Sequence, residues 1–185
     1  MTLLHTYTSD IEQVSIDECY LFYTPISYRF PSPEAAARQI ADEVRNTLGF
    51  TVNVGIAENK LLAKMASDFE KPDRVHTLYR DEIPVKMWPL SVHELFMVGR
   101  KCASRLEELG IHTIGELAHS DRTFLQTHFK SHGILMWEYA NGIDHSAVHS
   151  DTTKAKCIGN STTLASDVTT RSEAFEVLLS LSERS

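Results

Sequence analysis

No apolar run in this sequence of 185 residues approaches the roughly 20 that a membrane span needs. Met1 leads into Thr, His, Tyr and Asp rather than into a basic flank and an apolar core, so no secretory leader is expected. Cysteine is scarce: Cys19, Cys102 and Cys157 lie far apart without metal-type spacing, which points to reduced structural thiols in a cytoplasmic protein. Basic charge is short as well. Eighteen Lys and Arg stand against 25 Asp and Glu, and the net charge of −7 argues against a surface coated for nucleic acid. Local patches can still bind one. Lys60, Lys64, Lys71 and Arg74 cluster in sequence, and so do Arg100, Lys101 and Arg105. Repeats and low-complexity stretches are absent. The nine histidines show no ligand spacing with a cysteine or acid. His128 and His132 are four apart, but 130–133 reads as a loop, so zinc is not expected. What remains is an ordinary globular composition, 42% hydrophobic and 23% charged, sized for one domain or two small ones.

The pattern over 14–21 predicts a strand, with a second, shorter strand near 22–25. Ser32-Pro33-Glu34 is a helix start, and Ala37, Ile40, Ala41, Val44 and Leu48 share one face before Gly49 supplies a stop. Val52, Val54 and Ile56 alternate with polar or small neighbours, which predicts a half-buried antiparallel strand. Asn59 caps a further helix that ends before Pro72, and a short strand follows near 75–79. From Asp81 onward only short helices are expected: 100–109, 114–118 after Thr113, 122–129 after Ser120 or Asp121, and 134–140. A polar stretch to Lys156 reads as a linker. A strand over 158–164 and a last helix capped by Thr170 or Ser172 complete the chain. The fold class is therefore α+β, with boundaries near Tyr79 and within 144–156.

Asp17 and Glu18 are adjacent acids inside an apolar run. Neighbours on a strand point to opposite faces, so both cannot be ordinary solvent-face residues. Acids at a strand end or turn can converge on a divalent cation, and paired Mg²⁺ ions serve in-line phosphoryl transfer. The plainer alternative is one solvated acid and one loop cap. On the following helix Lys60 and Lys64 share a face, and Lys71 lies just past its end, where it can reach a polyphosphate as a point charge. On spacing alone a solvated amphipathic helix with a lysine stripe is the better account.

The motif Ser15-Ile16-Asp17-Glu18-Cys19-Tyr20, followed about forty residues later by the run from Val54-Gly55-Ile56 through Asn59-Lys60 to Lys71-Pro72, resembles the palm signature of Y-family, translesion-type DNA polymerases. The resemblance implies that Asp17 and Glu18 bind two catalytic Mg²⁺ ions and that Lys71 contacts the incoming nucleotide. Lys60, Lys64 and Asp68 match supporting positions, and Cys19 stands where alanine is more usual. Residues 95–111 resemble a helix-hairpin-helix, in which Gly99, Arg100, Lys101 and Arg105 would meet DNA phosphates, although Met97 replaces the first of two usual glycines. The implied architecture is a partial palm with an antiparallel sheet and helices (1–79), an all-α thumb (80–145), a linker (146–157) and the start of a little finger (158–185). Primer–template DNA and deoxynucleoside triphosphates are the implied partners, with a sliding clamp engaged through a segment outside this chain. In that family a third acid lies on a first palm strand, which is expected to precede these residues along with the fingers. The 185 residues alone are therefore expected to be inactive. Two other readings stay open: a non-catalytic DNA-binding module built on the hairpin, and another palm-type enzyme such as a nucleotide cyclase.

Overall fold

The computed structural model describes residues 1–150 and 159–183. The chain divides into two compact units, 1–150 and 151–185. In the first, β1 (Ile11–Gln13) and β2 (Cys19–Leu21) form an antiparallel hairpin with Ile11 opposite Leu21 and Gln13 opposite Cys19. The continuous strand expected over 14–21 is thus half turn. The N–H groups of Val14 and Ser15 both donate to the Glu18 carbonyl, and the Ser15 hydroxyl accepts from the N–H groups of Asp17 and Glu18. A serine that offers its own oxygen to nearby amides competes with the ladder. Ile16 is left 97% exposed at the tip. The strand expected near 22–25 is instead a 3-10 helix, Thr24–Arg29, with Pro25 in its first turn where no N–H is needed.

Helix α1 (Pro33–Leu48) starts where the Ser32 hydroxyl accepts the Ala35 N–H and stops at Gly49, whose φ of +77° is left-handed. Next come β3 (Val54–Ile56), α2 (Lys60–Asp68) and β4 (Val75–Thr77). β3 and β4 pair in parallel, Val54 opposite Val75, and not antiparallel as the alternation suggested. Helix α2 is the crossover that a parallel pair requires. Both α1 and α2 pack on this pair. The mixed α and β class holds, but of the two small sheets among the described residues one is antiparallel and one parallel.

The rest of the unit is helical: α3 (Ile83–Lys86), α4 (Arg100–Glu108), α5 (Ile114–His119), α6 (Arg122–Phe129) and α7 (Ser131–Ala140). Thr113 and Glu116 form a capping box on α5, and Asp121 caps α6. Residues 131–133, expected in a loop, open α7. The reason is Gly133, where an added Cβ would lie 2.3 Å from the Leu125 carbonyl oxygen, so the two helix backbones approach closely. Helix α2 shares one core with these helices: Leu62, Met65, Leu106, Leu117, Leu125 and Met136 are all at most 3% exposed.

In the second unit α8 (Arg171–Glu183) begins with the Glu173 N–H donating to the Thr170 hydroxyl. Residues 159–164 carry no strand, contrary to expectation. No strand in this unit is described that they could pair with, and an isolated strand gains no ladder bonds. Residue 158 and most of the expected linker lie outside the described residues. Among the described residues no helix is long and apolar enough to cross a membrane.

Candidate active site

The β1–β2 turn holds Asp17 and Glu18 next to each other, and both are solvent-exposed, contrary to the strand-face argument, because they lie in the turn and not on a strand. The Ser15 hydroxyl donates to Asp17 Oδ1 at 2.7 Å, orienting that carboxylate. Glu18 reaches across to α2, where Lys64 Nζ meets its Oε1 at 2.5 Å. Lys64 also lies 3.3 Å from Asp68, four residues on, and Asp68 in turn holds Lys71 at 2.7 Å. The structure thus connects two residues singled out by the motif, Glu18 in the turn and Lys71 past α2, through two supporting ones, while Asp17 is held by Ser15. Lys60, on the same face of α2, pairs with Glu12 of β1 at 2.9 Å and lies 5.5 Å from the centre of the Tyr20 ring. The two lysines therefore clamp the hairpin at two points. Burial lowers the pKa of Lys64, but its bonds to Glu18 and Asp68 outweigh that and hold it above the ordinary lysine range.

Two acids for which the sequence indicated no role, Glu12 and Asp144, complete this end of the unit. The Leu61 N–H, an unpaired donor at the start of α2, gives to Asp144 Oδ2 at 3.1 Å, while the Asn59 side-chain amide donates to the Gly142 carbonyl. The His149 N–H donates to Glu12 at 2.9 Å. Burial raises both carboxyls, but for Asp144 the Ser146 and Leu61 donors, and for Glu12 the His149 N–H and Lys60, pull each below its ordinary range. A depressed folded pKa contributes stability that is complete above the unfolded value and lost as pH falls through the folded one. Urea midpoints should therefore drop as pH falls below about 4. Asp144→Asn should flatten that slope while lowering the midpoint at neutral pH; an unchanged slope would discount the role of Asp144.

A second group of candidate residues surrounds α4. Val92 N–H donates to the His112 carbonyl and Ile114 N–H to the Leu90 carbonyl, an antiparallel bridge between Ser91 and Thr113 that brackets α4. Met97 adopts φ +68°, in the left-handed region that favours glycine. Gly99 is the N-cap of α4, and nothing lies within 4 Å of where its Cβ would be. Arg100 and Lys101 are exposed and meet no acid among the described residues, whereas Arg105 is held by Glu108 at 2.6 Å. Two unpaired cations at the positive end of a helix repel its dipole, an arrangement that an anion relieves.

As a metal site the turn is half of one. Two adjacent, exposed carboxylates are the hard oxygen donors that Mg²⁺ takes, with water and phosphate filling the rest. Among the described residues no group of three or more His, Cys, Asp or Glu side chains is placed to hold a metal ion. The pair offers donors of the right kind, with Asp17 held by the Ser15 hydroxyl and Glu18 by Lys64.

Residues 1–68 match the impB/mucB/samB family (IMS). Over 183 residues the chain is 50% identical to the DNA polymerase IV of Clostridium acetobutylicum, covering 99% of this chain and 46% of that protein. DinB from Sulfolobus solfataricus superposes with a TM-score of 0.72 at 28% identity, over 81% of this chain and 45% of that one. A Y-family DNA polymerase chimera gives 0.71 at 29% identity, over 80% and 44%. The chain belongs to the Y-family DNA polymerases. It spans a little under half the length of the family members it matches. Its lysine helix is joined by a connected set of ion pairs to Glu18, while Asp17 stands beside it in the same turn.

Proposed function

We propose that this chain is part of a translesion DNA polymerase catalysing template-directed nucleotidyl transfer from deoxynucleoside triphosphates to a primer. The observation that carries the reading is the row of ion pairs joining the Glu18 turn to Lys71. In this reading residues 1–79 are part of a palm, 80–145 a helical thumb, 146–157 a linker and 158–185 the beginning of a little finger. Asp17 and Glu18 hold Mg²⁺ jointly with acids outside this set, in the two-ion arrangement. When bound, Mg²⁺ supplies Lewis-acid stabilisation of charge on the transferring phosphoryl group. Lys71, 55% exposed, offers a point charge to the triphosphate. The α4 N-terminus with Gly99, Arg100 and Lys101 takes a phosphate of the primer–template, and Arg105 adds charge on the next turn. Because its substrate is DNA, we place the protein in the cytoplasm. No residue here is assigned to a sliding clamp. A DNA-binding module alone would leave the acid–lysine row without a purpose.

Mg²⁺-dependent, template-directed primer extension by the complete polymerase is the test, and failure to extend any primer would sink the reading. The 185 residues alone should bind DNA without extending it, since among the described residues no third acid joins the pair. Affinity should be similar on unrelated duplexes and fall steeply with salt. Lys101→Ala should lower the log–log salt slope by about 1. Marked preference for one sequence would count against the phosphate contacts.

A further inference from the structure

Four side chains of alternating sign run from the hairpin turn to the residue beyond α2: Glu18, Lys64, Asp68 and Lys71. The middle cation is the sheltered member. The Lys64 side chain is 17% exposed, against 46% for Glu18, 40% for Asp68 and 55% for Lys71. Lys64 and Asp68 lie one turn apart on the same helix, so their pair persists as long as α2 does. The outer members stand in water, where ion pairs are weak and a strongly charged ligand can draw either one away.

We propose, resting on the reading of Glu18 as a metal ligand and Lys71 as a nucleotide ligand, that Lys64 and Asp68 are positioning residues that couple the two sites. A divalent cation taken up by Glu18 releases Lys64 to close on Asp68. Asp68, its charge then better satisfied, loosens its hold on Lys71, which becomes free for the polyphosphate. The reverse path has the same strength, because coupling between two binding events is reciprocal. A polyphosphate that draws Lys71 away leaves Asp68 to Lys64, and Lys64 gives up Glu18 to the cation. Lys60 stands outside the row, since Glu12 and the Tyr20 ring occupy it.

The two positioning residues have opposite signs, so their removal has opposite consequences. Binding of the matched deoxynucleotide is measured on the complete polymerase with a dideoxy-terminated primer–template, at low and at saturating Mg²⁺. Mn²⁺ affinity is read separately by electron paramagnetic resonance. In Asp68→Asn, Lys71 is already free, so nucleotide affinity at low Mg²⁺ should rise about threefold to fivefold and depend less on the metal. In Lys64→Met, Glu18 has no competitor and Asp68 holds Lys71 alone. Mn²⁺ should then bind more tightly while the nucleotide binds more weakly, again with reduced metal dependence. Lys64→Arg should retain the coupling. A merely structural role would weaken both ligands in both variants, and that outcome overturns the proposal, as does an unaltered metal dependence. If Lys64→Met does not fold, Asp68→Asn decides alone. Mn²⁺ affinity unchanged in an Asp17→Asn, Glu18→Gln double variant would instead sink the metal-ligand reading on which the relay stands.

Discussion

Gly55→Ala should cost the first unit about 3 kcal/mol, the upper end of what overpacking a filled interior costs. Gly55 is the centre of β3, and an ideal Cβ there would lie 1.9 Å from the Ala63 carbonyl oxygen and 2.6 Å from the Ser67 nitrogen. Both are backbone atoms of α2, so no rotamer change relieves the overlap. The helix must move off the strand. That shift disturbs everything α2 carries: the buried side of Leu61, Leu62, Met65 and Ala66, and on the outer side the lysines that clamp the hairpin. The glycine is needed here for its missing side chain and not for its backbone freedom. Denaturant midpoint and slope decide the matter. A midpoint lowered at unchanged slope gives the cost directly, and a loss under 1 kcal/mol would mean that the helix stands further from β3 than described.

Asp17→Asn and Glu18→Gln in the complete polymerase should each lower kcat about a thousandfold, because metal stabilisation of transferring phosphoryl charge is worth several kcal/mol and each 1.36 kcal/mol is tenfold. Both substitutions keep shape and remove charge. Neither side chain is buried, and the turn is held by backbone bonds and by the Ser15 hydroxyl, so stability should change little. Lys71→Ala is the informative contrast. As an exposed point charge it should raise the nucleotide KM about tenfold and leave kcat far less affected than the acids do. Quench-flow on a single-nucleotide incorporation separates the two parameters. Acid variants that retain more than a tenth of wild-type kcat would remove Asp17 and Glu18 from the chemistry.

Caps are the most legible part of the sequence. Ser32, Asn59, Thr113 and Asp121 each precede a helix, and each accepts an N–H from its first turn. Their signal is local, since side chain and amide sit two or three residues apart. Strand direction is not local. Val54 and Ile56 alternate in the same way whether their partner runs parallel or antiparallel, and the deciding clue was the nine-residue α2 between β3 and β4, too long for a hairpin. Over 14–21 the apolar content outvoted Ser15, although a serine two residues before an aspartate is itself a turn signal. The candidate site was legible to the extent that motif spacing carried it: Asp17, Glu18 and Lys71. That Lys64 meets Glu18 depends on the hairpin lying across α2, a tertiary fact. Glu12 carries no motif, and the family-like stretch that ends at Asp144 gives no sign that its carboxylate caps α2.

Helix α2 is finished by residues made long after it. Its exposed amide at Leu61 and its capping side chain at Asn59 both find partners 83 positions downstream, at Asp144 and Gly142. The bond from His149 back to Glu12 closes a span of 137 positions. On a ribosome adding roughly 5 to 20 residues per second, the 83 intervening residues take roughly 4 to 17 s to appear. For that interval the acid-bearing hairpin and the lysine helix exist without the contacts that complete them. Contacts of such long separation also pay their chain-closure entropy before they return anything, which slows folding. The nascent first half of this unit is therefore a natural client for a chaperone, waiting on the helical half to seal it.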